Sequence, residues 1–541
     1  MEQPKGWGPS RADGSGVPAV SGQNRIHTPV QPDFGPVAVV GLGYVGLPMA
    51  VAIAATGTEV VGIDINEARL EAIRARQPDL PAADVATLDA SLRDGRLVLT
   101  SCSSVLAVCR TVVTCVPTPI DQHLTPDLRP LRGACRDVVD HAVGGQLIVL
   151  TSTTYVGSTR DLLVEPLRAR GFRPGEDIFV AFSPERLVVG SATASSNSVS
   201  LEIDLRNMNG NGNGRAVSNG HRNGVRTASV HAYGHGQVNG NGDGKHREDG
   251  NNGWDGDSSL VRWMRTVPRI VGGVTPECTA RAESVLRCFT DVVHRVSSAE
   301  IAEYTKLIEN TFRAVNIALA NEFAEIGRAF GVDVMEALEA AGTKPYGFMR
   351  FDPGPGAGGH CIPCDPHYLL WALRPKRIEA PLIQRAMTEI AQRPGRVVGH
   401  AVEAFAELGR PIVGSRVLIF GVAFKPGVSD IREAPALEIM SQLRERGAVV
   451  EYHDPFVDSV RLRTGEVLSS VDVPGALPWD LVIIHTVHPG GDLSWVDRVP
   501  AVVDAAYRLP RLRNGVAARP ADAVAAVIGT GKEGERLCGF A

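Results

Sequence analysis

Nowhere in this chain do eighteen apolar residues follow one another, which excludes a membrane-spanning helix. The first thirty residues are rich in Gly, Pro, Ser and Gln and have no apolar core of a secretory signal, so residues 1–34 are expected to form a disordered tail. An excess of basic charge is missing too: 55 Lys and Arg stand against 60 Asp and Glu, for a net charge of −5. A phosphate-binding surface usually makes a chain or domain basic, so nucleic acid is an unsuitable partner. Cysteine is scarce and odd in number, nine in 541 residues, as in reduced cytosolic proteins rather than disulfide frameworks. What is present is an ordinary apolar content of 44% in a chain long enough for more than one core. These features predict a cytoplasmic globular protein.

Val37-Ala-Val-Val40 reads as a short buried strand, followed by Gly41-Leu-Gly-Tyr-Val-Gly46, an apolar helical run through Ala55, and a second strand over Glu59–Asp64. That order is the βαβ unit of a doubly wound sheet. Apolar runs recur at Thr111–Val116, Leu147–Leu150 and Ile178–Phe182. A tract of Asn-Gly repeats with scattered His, Arg and Asp, placed at 191–262, lacks apolar periodicity and reads as a disordered insertion with solvated histidines. From Ser298 to Phe330 the pattern is helical with apolar residues on more than one face, as at a domain junction or dimer interface. A second α/β unit opens at Arg416-Val-Leu-Ile-Phe-Gly421, continues in a helix after Pro435, and adds strands at Val449–His453 and Leu481–His485. The expected fold is α/β: two Rossmann-like doubly wound domains joined by a long central helix. The boundaries fall at 35–297, 298–400 and 411–530.

Gly41, Gly43 and Gly46 make G-x-G-x-x-G between a strand and a helix. The first two permit a tight turn and close approach to a pyrophosphate, and the third lets the helix pack on the strand. The helix N-terminus then faces the phosphates. Asp64 closes the second strand, where an acid binds the ribose hydroxyls and would repel a 2′-phosphate. NAD is therefore the expected cofactor.

Gly354-Pro-Gly-Ala-Gly-Gly-His-Cys361-Ile-Pro-Cys364-Asp365 gives a tightly shaped loop ending in a thiol. A thiolate adds to an aldehyde, and the adduct can lose a second hydride to become a thioester. Cys361 and Cys364 also form C-x-x-C, a redox pair or half a zinc site. No second C-x-x-C or H-x-x-x-H follows, and a redox pair should open a helix after a strand, so no metal is expected. Lys306 and Asn310, four apart, share one helix face. Alone that is a solvated stripe, but in so apolar a helix the pair needs a buried partner.

At this point the motifs resemble a family. Gly41–Pro48, Thr114-Cys-Val-Pro-Thr-Pro119, Ser152-Thr153, Phe182-Ser-Pro-Glu-Arg186 and Gly421-Val-Ala-Phe-Lys-Pro426 are similar to those of the UDP-glucose/GDP-mannose dehydrogenases. Lys306-Leu-Ile-Glu-Asn310-Thr-Phe-Arg and Thr343-Lys-Pro-Tyr-Gly-Phe348 resemble the UDP-N-acetylglucosamine 6-dehydrogenase branch. The likeness spans Pro36 to about Val527 apart from the insertion. It implies two NAD-dependent oxidations at sugar C6 through a Cys361 thioester. Lys306 and Asn310 would hold the reacting oxygen, while Thr153, Glu185 and Asp365 would order water or act as base. Tyr44 and Val45 with the glycines, Asp64, Pro117, Thr118 and Arg432 would serve the cofactor. Lys425, Gly358 and Arg186 would serve a UDP-sugar. A homodimer or larger homo-oligomer built on the central helix is implied as well.

The sequence departs from the family at three places. Leu187-Val-Val-Gly190 and the insertion follow Arg186 where a short turn near the sugar is usual, Cys364 replaces an aliphatic residue and invites a disulfide with Cys361, and Met349-Arg-Phe-Asp352 ends without the usual aromatic. UDP-N-acetylglucosamine, UDP-N-acetylmannosamine and UDP-glucose all stay open as substrates. Two other functions compete. A two-electron β-hydroxyacid-type dehydrogenase would share the Lys/Asn pair but has no use for Cys361. An inactive nucleotide-sugar or NAD-binding regulator would not need Cys361, Lys306, Asn310, Glu185 and Asp365 together.

Overall fold

The computed structural model describes residues 35–77, 80–121, 123–186, 259–510, 512 and 516–518. The expected tail over 1–34 and most of the expected insertion lie outside the described residues.

The chain opens with β1 (Val37–Val40), α1 (Gly46–Ala55), β2 (Val60–Ile63), α2 (Glu67–Arg74), α3 (Ala82–Arg93), β3 (Leu97–Thr100), β4 (Thr111–Thr114) and α4 (Arg129–Asp140). It continues through β5 (Leu147–Leu150), α5 (Glu165–Ala169), β6 (Phe179–Phe182), α6 (Leu260–Thr266), β7 (Arg269–Gly273), α7 (Pro276–Leu286) and β8 (Val293–Arg295). These strands form one sheet in the order β3-β2-β1-β4-β5-β6-β7-β8. All pairs are parallel except β6 with β7. The strand order reverses between β1 and β4, where an open sheet leaves a crevice at its carboxyl edge. Five strands, β1, β4, β5, β6 and β7, are buried along their whole length, as strands of a sheet covered on both faces must be.

The expected insertion ends too late. Residues 260–262 belong to α6, whose N-cap Ser259 accepts from Arg262 N. Leu260 and Met264 supply its apolar anchor, and the Ser before that apolar pair was the local signal.

α8 (Ala299–Phe330) is a 32-residue helix capped by the Ser298 hydroxyl and closed by Gly331 at φ 67°. After it come α9 (Val334–Gly342), α10 (Cys361–Leu373) and α11 (Pro381–Glu407). A second α/β unit follows with β9 (Arg416–Phe420), α12 (Pro435–Glu445), β10 (Val449–His453), β13 (Leu481–Ile484), β14 (Ala501–Asp504) and β15 (Val516–Ala518), the five strands forming one sheet, while β11 (Ser459–Arg461) and β12 (Val467–Ser469) make a separate antiparallel pair. The sheet order is β10-β9-β13-β14-β15, parallel except for the last pair. Two Rossmann-like sheets and a long helix are therefore present. No helix among the described residues is long and apolar enough to cross a membrane.

Candidate active site

The groups singled out in the first sheet follow the carboxyl ends of parallel strands: the glycine turn after β1, Pro117 and Thr118 after β4, Thr153 after β5, and Glu185 and Arg186 after β6. The glycine turn shows why each position is small. Gly41 has φ 90°, and a side chain there would meet the Cys115 carbonyl at 2.6 Å. A Cβ on Gly46 would lie 1.8 Å from the Gly41 carbonyl oxygen. Around Gly43 nothing lies within 4 Å of a Cβ, so its bareness faces open space rather than packing. No side chain caps α1, and no acid lies in its first turn, so its end is free for an anion. Asp64 accepts from Leu42 N at 2.8 Å and from Asn66 N at 2.9 Å, which orients it beside the turn while it stays half-exposed. These residues fit a dinucleotide: open space, an uncapped helix end, and an acid one strand away.

The second sheet repeats this turn with a different outcome. Gly421, at φ 80°, directly follows β9, and Asp454 directly follows β10 and accepts from Val422 N and Ala423 N at 2.8 and 3.1 Å. Here the acid is buried, and His488 Nε2 lies 3.0 Å from its Oδ2. Gly427 N donates to Nδ1 of the same ring at 3.0 Å, which makes Nε2 the protonated nitrogen and donor to Asp454. Asp454 is thus enclosed, whereas Asp64 keeps an open edge for a ribose.

Between the sheets lies the thiol. The sequence placed Cys361 at the close of a Gly/Pro loop; the structure makes it the first residue of α10, with Cys364 buried one turn on. The reason is local, since His360 already adopts helical backbone angles before Cys361. The C-x-x-C pair therefore does open a helix, though after a loop rather than a strand, and both thiols are free. Cys361 is open to solvent, yet its crowded walls and then Asp365 raise its thiol above the usual range, while Lys306 and Arg432 pull it down. Burial pushes Cys364 up to about 12, leaving it the poorer nucleophile.

The lysine and asparagine of α8 find the buried partners their setting demanded. Lys306 Nζ donates to the Glu185 carbonyl at 2.6 Å, and Asn310 Nδ2 donates to Asp365 Oδ2. Desolvation pushes Asp365 up to about 6, against the pull of Lys306 and the hydrogen bond from Asn310. Tyr368, on the same helix as Asp365, donates to the Thr118 carbonyl at 3.1 Å and ties α10 to the β4 loop. Thr153 is half-buried and Pro117 exposed at the same edge.

The remaining candidates are Arg432 and Lys425 from the second α/β unit, Gly358 from the cysteine loop, and Arg186 after β6. Arg432 stacks on Tyr44 of the glycine turn, 4.3 Å from ring centre, pairs with Asp430 at 2.6 Å, and accepts from Gly359 N at 2.9 Å through its carbonyl. It therefore joins the cofactor turn to the cysteine loop. Lys425 lies within electrostatic reach of Cys361, and desolvation, then Arg313, bring it down to about 8. A Cβ on Gly358 would meet Phe424 at 2.6 Å, so its smallness serves packing between loop and second sheet. Arg186 is already held by Glu309 and by the Pro268 carbonyl at 2.9 Å.

The sequence reading missed several residues. Arg269 pairs with Glu185 at 2.8 Å from the start of β7. The loop before Cys361 is held at Gly354, whose N–H donates to Asn321 at 2.9 Å and whose carbonyl accepts from Arg393 at 2.8 Å. A charged residue opening the apolar run Arg269-Ile-Val-Gly-Gly273 was the only local signal for the first; the others carried none.

Comparison with known proteins agrees with this geometry. The NAD binding domain of the UDP-glucose/GDP-mannose dehydrogenase family matches residues 36–199, its central domain 300–390, and its UDP binding domain 418–505. The UDP-N-acetyl-D-glucosamine 6-dehydrogenase of Pseudomonas aeruginosa is 30% identical over 454 residues, covering 84% of this chain and 90% of that one. The chain belongs to the UDP-glucose/GDP-mannose dehydrogenase family. The UDP-N-acetyl-D-mannosamine dehydrogenase of Pyrococcus horikoshii is also 30% identical, over 84% of this chain and 89% of that one. A solved structure of a UDP-N-acetylmannosamine dehydrogenase from Pyrococcus horikoshii superposes with TM-score 0.69 at 27% identity, covering 88% and 96%. The chain is thus an NAD-dependent UDP-sugar dehydrogenase, an oxidoreductase with NAD as cofactor.

Proposed function

We propose that this dehydrogenase oxidises the C6 alcohol of a UDP-N-acetylhexosamine, UDP-N-acetylglucosamine foremost, to the carboxylate in a four-electron reaction. One observation carries the reading: an accessible thiol at a helix N-terminus, tied to the dinucleotide turn through Arg432 stacked on Tyr44, with Lys306, Arg432 and Lys425 bearing on it. A two-electron dehydrogenase has no use for that thiol. NAD, when bound, accepts a hydride in each oxidation.

The residues of the chain divide the remaining work. Lys306 and Asn310 hold the reacting oxygen, and the lysine charge favours a developing alkoxide. Asp365, raised by burial, takes the hydroxyl proton. Cys361 sulfur bonds to the aldehyde carbon, and the adduct reaches the acid level as a thioester. Water, ordered by Glu185 and Thr153, attacks the carbonyl carbon; the carbon–sulfur bond breaks and the thiol is restored. Lys425 faces the sugar nucleotide and Arg432 the cofactor.

Incubation with NAD and UDP-N-acetylglucosamine, UDP-N-acetylmannosamine or UDP-glucose in turn, counting NADH per sugar, tests this. Two NADH per UDP-N-acetylglucosamine, lost in Cys361→Ser, supports the proposal. One NADH per sugar, or two with UDP-glucose alone, refutes it.

We also infer a homodimer. Ile301, Tyr304, Ile308, Phe312, Leu319, Phe323, Ile326 and Phe330 recur every three, four or seven residues along α8 and are 41% to 77% exposed. A large contiguous apolar stripe on one helix face seeks a partner, and a second copy brings the same stripe. Ile308→Glu with Phe323→Glu should give a monomer in sedimentation; an unchanged mass would refute this interface. The eight free cysteines among the described residues fit a cytoplasmic location.

A further inference from the structure

β6 and β7 run antiparallel, with Ala181 opposite Gly273 and Phe182 opposite Gly272. Continued beyond β6, that register sets Glu185 opposite Arg269 and Arg186 opposite Pro268. Both contacts are made: Arg269 Nη1 donates to Glu185 Oε2 at 2.8 Å, and Arg186 Nη1 to the Pro268 carbonyl at 2.9 Å. Residues 187–258 join these two ends, so the pairing fixes the strand exit that carries Glu185 whatever the length of the connection.

Arg269 has 0% exposure, and no acceptor among the described residues reaches its Nε or Nη2. Its guanidinium lies 5.7 Å from the Phe289 ring centre, on an apolar support. A buried cation with one anionic partner directs its charge to that partner. The other Glu185 oxygen accepts from Arg186 N at 2.6 Å, and the Glu185 carbonyl accepts from Lys306 Nζ at 2.6 Å. The Glu185 charge also bears on the Cys361 thiol. One residue thus meets Arg269, the active-site lysine and the electrostatics of the nucleophile.

We propose that Arg269 is a positioning residue of this enzyme. It locks the Glu185 carboxylate in the orientation that aligns the water attacking the Cys361 adduct, and it steadies Lys306 through the Glu185 backbone. This rests on the thioester reading, so wild-type stoichiometry is measured first; one NADH per sugar would sink that reading separately.

With two NADH established, Arg269→Met should lower kcat about a hundredfold with KM nearly unchanged, as expected when a reacting group is displaced by about 1 Å. Intact-protein mass should show sugar-derived mass held on Cys361 during turnover, absent from Cys361→Ser. Arg269→Lys should recover much of the loss. Glu185→Gln with Arg269→Met should be no slower than Glu185→Gln alone, because the arginine acts only through the glutamate. A kcat within twofold of wild type in Arg269→Met, or a double variant tenfold slower than Glu185→Gln, would overturn the proposal. If Arg269→Met does not fold, the comparison of Glu185→Gln with the double variant, which removes both charges together, decides alone.

Discussion

Asp365 is held where an ionised carboxylate is disfavoured, and its replacement by asparagine should make the protein more stable and less active. The side chain is buried, and desolvation pushes it from an ordinary 3.8 up to about 6, even with Lys306 and Asn310 pulling the other way. A rise from 3.8 to about 6 corresponds to about 3 kcal/mol, at about 1.4 kcal/mol per tenfold change in the acid's ionisation constant. The sign follows from linkage. The folded protein keeps the proton to higher pH than the unfolded chain, so stability falls as pH rises from about 4 to 6 and stays lower above that. Asp365→Asn is isosteric with the protonated acid and escapes the penalty. Urea unfolding at pH 8 should therefore show the variant more stable by about 3 kcal/mol, and by about half of that at pH 5. kcat should fall at least a hundredfold at pH 8 through loss of the base. A variant less stable than wild type at pH 8, or a difference flat between pH 5 and 8, would refute the account of Asp365 as a base raised by burial.

Two further substitutions separate fold from cofactor. Gly46→Ala places a methyl 1.8 Å from the Gly41 carbonyl and should drop the thermal midpoint by many degrees or prevent folding. Gly43→Ala meets nothing within 4 Å, so its melting should be unchanged while KM for NAD rises at least about tenfold. Lys425, brought down to about 8 by desolvation, loses its charge above that pH. KM for the UDP-sugar should rise with pH through about 8, and Lys425→Met should raise it about tenfold at pH 7 and flatten the dependence.

Much of the frame was legible because it is local. β1, β5, β10 and α8 lie within a residue of their expected spans, since short apolar runs and a Ser-capped helical pattern are read from neighbours in sequence. The glycine turn and the thiol closing a Gly/Pro loop stand out in the sequence because phosphate binding and thiol chemistry constrain residue type directly, and their proposed roles await the experiments above. Lys306 and Asn310 were half-legible: their spacing showed a shared face, and the apolar helix showed that partners were needed, but not which ones.

What sequence reading could not supply is the set of long-range polar contacts that hold those groups. Glu303 is one example: its carboxylate accepts from the Ser158 hydroxyl and from the Thr159 amide and hydroxyl, at sequence separations near 145. It anchors the helix three residues ahead of Lys306 to the turn after β5. Burial raises its carboxyl, while the four hydrogen bonds from Gly157, Ser158 and Thr159 pull it back. In a sequence it is one of many acids on a long helix, and spacing alone reads it as a solvated face. Arg269 is hidden for the same reason, separated from Glu185 by 84 residues and an inserted tract. Local pattern determines which side chains can do chemistry. Register between strands and the packing of α8 against the first sheet determine which of them are held still enough to do it.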